Sequence, residues 1–591
     1  MKRILVLALL IGFGLTACST GGNGTQQVLE IHDIQGCSHT SPYKGQKVHD
    51  IKGIVTHKLS NGFTMQTVQS DDLDCTSEAL FIFTKDYPTV MIADMVSVDG
   101  IVDEFTDGNP EDFNLSQTEI INSTYKIINS SNALPTPVVI DNIADRVPMT
   151  VIENDNMSVF DPNEDGLDFY ESLESMLVQV NSGRIVAPRN NYGEITVLAD
   201  VFFESNLISS DGALLNSKND ANPEKLIVKL PTQYADEVNL GDALAKPIIG
   251  VMDYSYGNYK LLAFSPVQFR SFTKTIEPFL PLSEGLTLAT YNVENLSPLD
   301  ENKKFSEIGR QIVKFLQSPD VLVLNEVLDN SGSTDDGVVK ADETVMKLVN
   351  AIQKAGGPKY SYSDTSPFNN QDGGLEGGNI RTVLLYREDR GIDMDQSVSA
   401  IKKVSNSDGQ ITFNQNPILI GENSSSFNGT RKPRIWLLRQ NGKQFIVVGV
   451  HLTSQGASSP DWGSQQPPSK PEEGQRIEEA RLINCQLNEI LALNPTIPIF
   501  IAGDLNDLPW SETLSSLAQN GFENSADRNK PGENYSFIFE GNAQELDYIL
   551  VNQNLADSVL QARFVHVNSF LDQSNAVSDH DPMIIEFNLD Q

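Results

Sequence analysis

The chain has 591 residues, of which 39% are hydrophobic and 20% are charged. This mix is typical of globular proteins and excludes a wholly disordered chain, and the length predicts about three or four domains. The formal net charge is -37, which argues against a protein that coats nucleic acid through a basic surface. An enzyme is not excluded, because a metal ion can neutralise phosphate charge locally.

The amino terminus predicts export. Lys2 and Arg3 precede an apolar run at 4–13, which is too short to span a bilayer and fits the core of a signal peptide. The word Leu-Thr-Ala-Cys at 15–18 resembles a bacterial lipobox. This resemblance implies cleavage before Cys18 and lipidation of its thiol, and hence an outer-membrane lipoprotein or a secreted or cell-surface protein. An ordinary secretory signal is the alternative.

The remaining cysteines are expected to differ in state. Cys37 and Cys75 lie in one early region of an exported chain, so we expect a disulfide between them. Cys485 lies among apolar residues at helical spacing, which favours a buried free thiol.

Residues 28–130 carry short apolar runs separated by turn signals, a pattern typical of a small β-barrel. The words Gly-Ile-Val-Thr at 53–56 and Gly-Phe-Thr-Met-Gln at 62–66 resemble the OB-fold modules that precede nuclease domains in secreted bacterial proteins. OB barrels bind single strands through basic and aromatic side chains, and a structural spacer is the alternative. The candidate groove residues are Lys52, His57, Lys58 and Phe63.

Residues 131–280 are also rich in predicted strands, and the run at 240–251 echoes the run at 45–55. We therefore expect a second OB-like barrel. The segment 161–166 begins like a calcium-binding loop, but Ser172 stands at the twelfth position, where such a loop needs a bidentate Glu. We interpret it as a polar turn.

From Leu286 onward strands alternate with helices, and the apolar runs end in polar side chains. Functional side chains collect at strand ends in α/β sheets. A single acid after a strand is usually a cap or a turn, but this chain repeats the pattern at several strand ends. The side chains at these ends are Asn292, Glu294, Glu326, His451, Asp504, Asn506, Asp547, Asp579 and His580.

This ordered set resembles the endonuclease/exonuclease/phosphatase superfamily, whose founder is deoxyribonuclease I. The most specific words are Gly-Asp-Leu-Asn-Asp at 503–507 and Ser-Asp-His-Asp-Pro at 578–582. The resemblance covers 286–591 and implies the deoxyribonuclease I-like α/β sandwich with a metal-dependent phosphodiesterase activity.

The resemblance also implies a metal site. Glu326 and Glu294 are the expected ligands of Mg²⁺, which prefers oxygen ligands, and Asp579 is the expected contact of a second metal ion. Mn²⁺ or Ca²⁺ would fit the same carboxylates. The family usually carries Asp, or no fixed residue, at the position of Glu294, so Glu294 is the weaker candidate.

Acid and base roles follow from the same resemblance. Asp504 is expected to activate the attacking water. His580, held by Asp547, and the second histidine, His451, are expected in acid and base roles.

Phosphate contacts are expected from amides and arginines. Asn292 and Asn506 would donate hydrogen bonds to phosphate oxygens. Arg381 and Arg387, after the Gly-rich loop at 372–380, are candidates because Arg binds phosphate bidentately; ordinary ion pairing is the alternative. His566 is interpreted as structural.

Three functions are compatible with this pattern. The first is an exported nuclease acting on DNA, with RNA as an alternative substrate, with the lipid anchor as its membrane contact and no obligate protein partner. The second is a phospholipase C or sphingomyelinase-like enzyme, or a phosphoinositide phosphatase, which would need apolar membrane-inserting loops; Trp462, in the expected mobile loop 455–470, is the one candidate. The third is an inert binding protein, which would need lost motif residues, and none of the principal ones is missing.

The sequence thus predicts a multidomain chain in which all-β OB-like barrels precede an α/β sandwich. The expected divisions are a signal peptide at 1–17, a linker at 18–27, an OB-fold-like domain at 28–130, a second β-rich domain at 131–280 and the catalytic domain at 286–591.

Overall fold

The computed structural model describes residues 29–589, apart from 205, 235, 265–266 and 396–402. The expected signal peptide, the Cys18 lipidation site and the whole of the expected linker lie outside these residues. Three regions follow one another along the described chain: a barrel, a broad β-sheet and an α/β sandwich. Among the described helices, none combines the length and the apolar character needed to cross a membrane.

The first region is a closed five-stranded barrel with the strand order β1-β2-β3-β5-β4. Strands β3 and β5 are parallel, and β1 closes the barrel against β4. Phe63 lies in the barrel core and is fully buried, so its expected place in a binding groove is wrong. Cys37 and Cys75 form the expected disulfide. The elements are α1 (Ile31–Gln35), β1 (Lys47–Lys58), β2 (Gly62–Gln66), β3 (Ala79–Phe83), β4 (Met95–Thr106) and β5 (Ser116–Asn129).

The second region, here called the middle region, is one nine-stranded sheet with the order β14-β11-β8-β9-β10-β13-β12-β7-β6. The expected second barrel is therefore wrong: strands far apart in sequence join one sheet instead of closing a five-stranded ring. Its elements are β6 (Val138–Val139), α2 (Gly166–Glu171), β7 (Leu177–Val180), β8 (Gly183–Ala187), β9 (Glu194–Ala199), β10 (Leu226–Lys229), β11 (Ala243–Leu244), β12 (Ile248–Ser255), β13 (Asn258–Ala263) and β14 (Phe269–Arg270).

The polar turn before α2 joins the barrel to the middle region. Carboxylate oxygens of Asp161, Asp165 and Asp168 lie within 4.8 Å of one another in this turn and the first residues of the helix. The ring of His39, from the barrel region, lies with Nε2 2.6 Å from Asp168 Oδ1. The segment thus forms the expected turn, and its acidic side chains also hold the two regions together.

The third region consists of two stacked sheets with helices outside them. A six-stranded sheet has the order β17-β18-β16-β15-β31-β30, and a seven-stranded sheet has the order β19-β23-β24-β25-β29-β26 with β22 paired to β23. Leu288, Trp436 and Phe500 belong to the apolar core between the sheets. Helices α3 and α4 cover one sheet, and α5 and α6 cover the other. The expected α/β sandwich is confirmed.

The elements of this region follow in chain order. The helices are α3 (Asn302–Lys314), α4 (Asp342–Lys354), α5 (Glu473–Leu493), α6 (Glu512–Ala518) and α7 (Gln553–Ala556). The strands are β15 (Leu286–Leu296), β16 (Val321–Val327), β17 (Ser361–Ser363), β18 (Arg381–Tyr386), β19 (Ile392–Asp393), β20 (Val404–Ser407), β21 (Gln410–Phe413), β22 (Ile418–Leu419), β23 (Arg434–Gln440), β24 (Lys443–His451), β25 (Ile499–Asp504), β26 (Phe522–Asn524), β27 (Phe537–Phe539), β28 (Asn542–Gln544), β29 (Asp547–Asn552), β30 (Val559–Phe564) and β31 (Met583–Phe587).

The loop at 455–470 packs against the middle region. Trp462 is only 6% exposed, and its ring contacts Tyr170 and Tyr259. The Tyr254 hydroxyl donates to the Trp462 carbonyl oxygen at 3.0 Å. Trp462 is therefore a core residue between two regions, and its candidacy as a membrane-inserting side chain is wrong.

Cys485 is exposed, so the expected buried thiol is wrong. Ile483, Leu487 and Ile490 form the buried stripe of α5. Cys485 is two positions from Ile483, which places it on the other side of a helix with 3.6 residues per turn.

Candidate active site

The predicted strand-end side chains meet at one edge of the sandwich. In the seven-stranded sheet, His451 ends β24 beside Asp504 at the end of β25, and Asp504 pairs in register with Asp547 at the start of β29. Gly503 has φ +144°, and a Cβ there would lie 1.9 Å from the Val450 carbonyl oxygen. Glycine therefore lets β25 approach β24 closely just before Asp504.

Asn292 links the two sheets across the site. Its side-chain amide donates to Glu326 Oε1 at 3.1 Å and to Asp504 Oδ2 at 3.2 Å. Asn292 is fully buried, and Ser578 Oγ donates to its backbone carbonyl at 2.7 Å. The amide thus holds carboxylates from both sheets near each other, and its contact with a phosphate oxygen stays a prediction.

The backbone at the site is strained. Glu294, Asn295, Glu326 and Asn506 have positive φ values of 48°, 49°, 62° and 51°. Non-glycine residues avoid this region, and each such residue costs about 1–3 kcal/mol. The Asn295 backbone N–H donates to Glu326 Oε2 at 3.0 Å. The strain therefore accompanies a contact that fixes the Glu326 carboxylate.

His580 is paired with Asp547. His580 Nδ1 lies 2.6 Å from Asp547 Oδ2, and its Nε2 lies 4.0 Å from Asp504 Oδ2. Burial opposes the charged form, but the Asp547 carboxylate, helped by Asp579 and Asp504, holds the pKa of His580 well above its ordinary value. The ring is consequently protonated at neutral pH and directs its second nitrogen towards Asp504.

Asp504 is a buried carboxyl group. Burial, reinforced by the neighbouring Asp547 carboxylate, raises the pKa of Asp504 to about 7, against the opposing effects of His580 and of the Asn506 N–H. That N–H donates to Asp504 Oδ1 at 2.8 Å. A carboxyl group that titrates near neutrality is suited to general base catalysis.

His451 faces the same centre but is neutral. Its Nε2 lies 3.8 Å from Glu326 Oε1 and 3.7 Å from Asp504 Oδ2. Burial, with the positive charges of Arg431 and His580, lowers the pKa of His451 well below its ordinary value. His451 Nδ1 has no hydrogen-bond partner among the described residues. The two histidines therefore hold different protonation states beside one carboxylate.

The expected metal ligands are carboxylates that lie near one another and near two positive charges. Burial and the carboxylates of Asp579 and Glu326 raise the pKa of Glu294, against the opposing charges of Lys304 and His580. Asp579 is exposed, and Glu326 is partly exposed. Hard divalent cations prefer oxygen ligands, so the carboxylates of Glu326, Glu294 and Asp579 suit one by their chemistry. Among the described residues, the acidic groups whose donor atoms lie within 4.8 Å of one another are elsewhere, in the barrel and in the segment 153–168.

The two arginines expected at the phosphate do not reach it. Arg381 is fully buried; its guanidinium donates to the Val339 carbonyl oxygen at 2.7 Å and pairs with Asp364 at 3.3 Å. Arg387 follows the opposite end of β18, because β18 runs antiparallel to β16, and it pairs with Asp389. At about 3.4 Å per residue, Arg387 lies on the order of 20 Å from the level of Glu326. Both expectations are wrong.

Asn506 and His566 act as supports. The Asn506 side-chain amide donates to the Leu452 carbonyl oxygen at 3.1 Å, which fixes the chain after His451. His566 Nδ1 lies 3.0 Å from Asp581 Oδ2, and its ring stacks on Tyr535. The structural interpretation of His566 agrees with these contacts.

Two residues at the site were not predicted. Arg431 is buried, donates to the Leu452 carbonyl oxygen and contributes to the lowered pKa of His451. Asn568 donates to the His580 carbonyl oxygen at 2.7 Å. The basic word Thr-Arg-Lys-Pro-Arg at 430–434 is conspicuous in an acidic chain, and it was the available signal for Arg431.

Comparisons with known proteins agree with this geometry. Residues 289–580 match the model of the "Endonuclease/Exonuclease/phosphatase family", and residues 127–271 match a model described as "Domain of unknown function (DUF8508)". No curated protein matches the chain.

Solved structures similar to the chain align with about half of it. An endonuclease/exonuclease/phosphatase from Bacteroides vulgatus is 15% identical, covers 52% of this chain and 99% of its own, with a TM-score of 0.34. The human Nocturnin catalytic domain is 15% identical, covers 52% and 96%, with a TM-score of 0.34. A mannosyl-6-phosphatase from Bacteroides thetaiotaomicron is 15% identical, covers 51% and 98%, with a TM-score of 0.32.

The family to which this domain belongs is shown by the match to the family model and not by these structural likenesses. The matched residues include all nine predicted strand-end side chains, from Asn292 to His580. The carboxy-terminal half of the chain is therefore a hydrolase domain of the endonuclease/exonuclease/phosphatase family.

Proposed function

We propose that the protein is an exported, metal-dependent nuclease that hydrolyses phosphodiester bonds of extracellular nucleic acid, with DNA as the expected substrate. One observation carries the proposal. A carboxyl group with a pKa of about 7, Asp504, faces a protonated histidine, His580, across 4.0 Å. A base and an acid with these opposite states suit attack of water on a phosphodiester and departure of an alcohol.

Proton transfer begins at Asp504. Its carboxylate orients a water molecule and accepts a proton from it as the oxygen attacks phosphorus. His580 Nε2 donates its proton to the departing alcohol oxygen as the P–O bond breaks, and until then Asp547 stabilises the imidazolium. His451 is neutral and adjoins the same carboxylate, so it donates a hydrogen bond without adding charge.

A divalent cation completes this arrangement. Glu326, Glu294 and Asp579 would hold it, and the bound cation would supply positive charge that offsets the charge of the phosphate. We propose Mg²⁺; Mn²⁺ and Ca²⁺ suit the same oxygen donors. Arg431, buried behind the Leu452 carbonyl, adds a fixed positive charge near the site.

Export and the amino-terminal module belong to the same proposal. The lipobox-like word at 15–18 supports a lipid anchor at Cys18. The barrel order β1-β2-β3-β5-β4 supports an OB fold, which is a five-stranded Greek-key barrel. Among its expected groove residues, His57 stacks on Phe264 of the middle region, which favours the spacer alternative at that side chain.

The experiment that tests the proposal is digestion of plasmid DNA and of RNA by the purified protein, with and without a chelator. We expect nicking or degradation that stops when the chelator is added and resumes with Mg²⁺. Sphingomyelin and a phosphoinositide are assayed in parallel. Hydrolysis of a lipid without cleavage of either nucleic acid would contradict the proposal.

A further inference from the structure

A cavity of about 720 Å³ lies between the middle region and the catalytic domain. Residues of the central strands β8, β9, β10 and β13 and of the turns beside them line one side, and the β27–β28 hairpin with the segment 568–579 lines the other. At one end the cavity reaches Asp579, directly before His580, and Phe537, whose ring centroid is 4.9 Å from that of His580. The cavity therefore opens onto the active site, and its volume lies within the roughly 300–1,000 Å³ typical of small-molecule sites.

Three exposed aromatic rings line this cavity. Tyr192 is 76% exposed, Tyr256 is 79% exposed and Phe539 is 52% exposed. They come from three separate turns or hairpins, two in the middle region and one in the catalytic domain. A single exposed ring is ordinary, but rings gathered around a cavity beside a phosphodiester-cleaving site can stack on the faces of nucleobases.

The backbone at Tyr256 supports a role for its ring. Tyr256 has φ 51° and Gly257 has φ 75°, and together they form the two-residue connection between β12 and β13. Such a connection favours Asn or Gly at both positions, because a bulky residue with positive φ is strained. Tyrosine is thus a poor choice for the turn itself, which is the pattern expected where a side chain serves a function.

The charges that line the cavity favour stacking of bases on the aromatic rings over binding of phosphates by cations. Lys260 Nζ lies 2.9 Å from Glu194 Oε1 and 5.5 Å from the Tyr256 ring centroid. Lys229 Nζ lies 4.0 Å from the same carboxylate. The lining holds as many acidic side chains (Glu194, Glu540 and Asp579) as basic ones (Arg189, Lys229 and Lys260), so little net positive charge is left to bind phosphates.

We propose that this cavity holds unpaired nucleotides next to the scissile phosphate, with bases stacked on Tyr192, Tyr256 and Phe539, so that the enzyme prefers single-stranded nucleic acid. This inference rests on the proposed nuclease function. In a duplex the base faces are already stacked, and exposing them costs a few kcal/mol. The stacking is tolerant of sequence, because every base has a π face.

The test compares three substrates with the full chain. They are a labelled oligothymidylate, the same strand annealed to oligoadenylate, and bis(p-nitrophenyl) phosphate, which reports the catalytic groups without a nucleobase. We expect the wild type to cleave the single strand faster than the duplex. For Tyr192→Ala and Tyr256→Asn, we expect the ratio of kcat/KM for the single strand to kcat/KM for the small diester to fall about tenfold each, because a stacked base is worth roughly 1–3 kcal/mol.

Matched variants separate stacking from folding. Tyr192→Phe and Tyr256→Phe keep the ring and should keep the wild-type ratio. Tyr256→Asn suits the turn better than tyrosine, so its thermal midpoint should not fall. Phe105→Ala removes a 49% exposed ring of the barrel, at the end of β4 away from the candidate groove residues, and should leave the ratio unchanged.

The failures are distinguishable. If the wild type cleaves nucleic acid but prefers the duplex, or if the Ala and Asn variants keep the wild-type ratio, the cavity inference is wrong and the nuclease proposal stands. If the wild type hydrolyses the small diester but neither nucleic acid, the nuclease proposal is wrong and the inference fails with it.

Discussion

Asp504 and His580 together account for both proton transfers of the proposed reaction, and each is held by its own neighbours. The Asn506 N–H fixes Asp504 Oδ1 at 2.8 Å, and Asp547 fixes His580 Nδ1 at 2.6 Å. General acid or base catalysis contributes about 10²–10⁴-fold. We predict that Asp504→Ala lowers kcat for plasmid and for bis(p-nitrophenyl) phosphate by a factor in that range. His580→Ala should lower kcat for plasmid by a similar factor but lower kcat for the small diester much less, because p-nitrophenolate is a stable anion that leaves without a proton.

The control for these variants is Cys485→Ser, which changes an exposed side chain on α5 and should leave kcat unchanged. Circular dichroism should show the same secondary structure in all of these proteins. Near wild-type kcat for plasmid in either site variant, with the fold intact, would show that the roles are assigned to the wrong side chains.

Removal of the two arginines at the ends of β18 should have different effects: one on stability, and the other on neither kcat nor KM. Arg381 is fully buried and donates to the Val339 and Asn379 carbonyl oxygens and to Asp364. Its loss leaves these groups unpaired, so we predict that Arg381→Ala lowers the free energy of unfolding by about 3–5 kcal/mol.

Arg387→Ala should change neither kcat nor KM by more than about twofold, because Arg387 lies at the opposite end of β18 from the site. Denaturant unfolding and steady-state kinetics check both values, and a raised KM in Arg387→Ala would restore its role at the phosphate.

Most of the candidate site could be predicted from the sequence because its side chains directly follow buried strands. The residue that ends a strand can be identified from the sequence, so His451 and Asp504 could be placed at strand ends. The direction of a long side chain cannot be identified in this way. Arg381 points into its own loop, where it donates to the Asn379 carbonyl oxygen. Arg431 reaches the Leu452 carbonyl only through the pairing of β23 with β24, which no local pattern reveals.

The segment 568–576, which leads into Asp579 and His580, is braced by the middle region. Arg189 Nε lies 2.8 Å from Asp572 Oδ2, and the Val238 N–H donates to the same oxygen at 3.0 Å. Small displacements of a catalytic group can cost up to about 10²-fold in rate. We predict that Arg189→Ala lowers kcat for plasmid about tenfold, although Arg189 touches no predicted catalytic group.

A second arginine of the middle region provides the comparison. Arg184 on β8 is half exposed and pairs only loosely with Asp200, at 3.6 Å. Exposed ion pairs of this kind contribute at most about 1 kcal/mol, so Arg184→Ala should leave kcat unchanged. Equal kcat values for the two variants would mean that the brace does not position His580.

The presence of strands in the middle region could be predicted from the sequence, but the pairing between these strands could not. The short apolar runs of 131–280 correctly indicate β-structure, but β6, β11 and β14 are two residues long and join the sheet only through neighbours distant in sequence. The parallel pairing of β10 with β13 has no turn signal at all. Pairing depends on which apolar faces are buried together, and the echo between 45–55 and 240–251 carried no information about that.

The three regions are held together by a few buried side chains. Glu174 of the middle region accepts from Gln35 Nε2 at 3.1 Å and from the Thr118 N–H at 3.2 Å, both in the barrel region. Trp462 of the catalytic domain enters the core of the middle region. These contacts join residues far apart in sequence, so they could not be predicted from composition or spacing. The contacts of Glu174 and Trp462 hold the middle region in the position where it supports the segment before His580 and lines the cavity beside it.

The contact between the barrel and the middle region should make the stability of the whole molecule depend on pH. His39 lies 2.6 Å from Asp168 and 3.7 Å from Glu171. Burial opposes its charge, but hydrogen bonds and the charges of these carboxylates raise the pKa of His39 to about 9. A histidine whose pKa in the folded state exceeds its unfolded pKa of about 6.5 stabilises the fold fully below pH 6.5 and loses this effect as the pH rises through the folded pKa.

We predict that the thermal midpoint falls between about pH 6.5 and pH 9, measured by calorimetry, and that His39→Gln flattens this part of the profile. Asp165, whose pKa burial raises to about 7, loses its proton in the lower part of the same window and leaves a shallow slope in the variant. An unchanged slope in His39→Gln would show that another group governs the pH dependence.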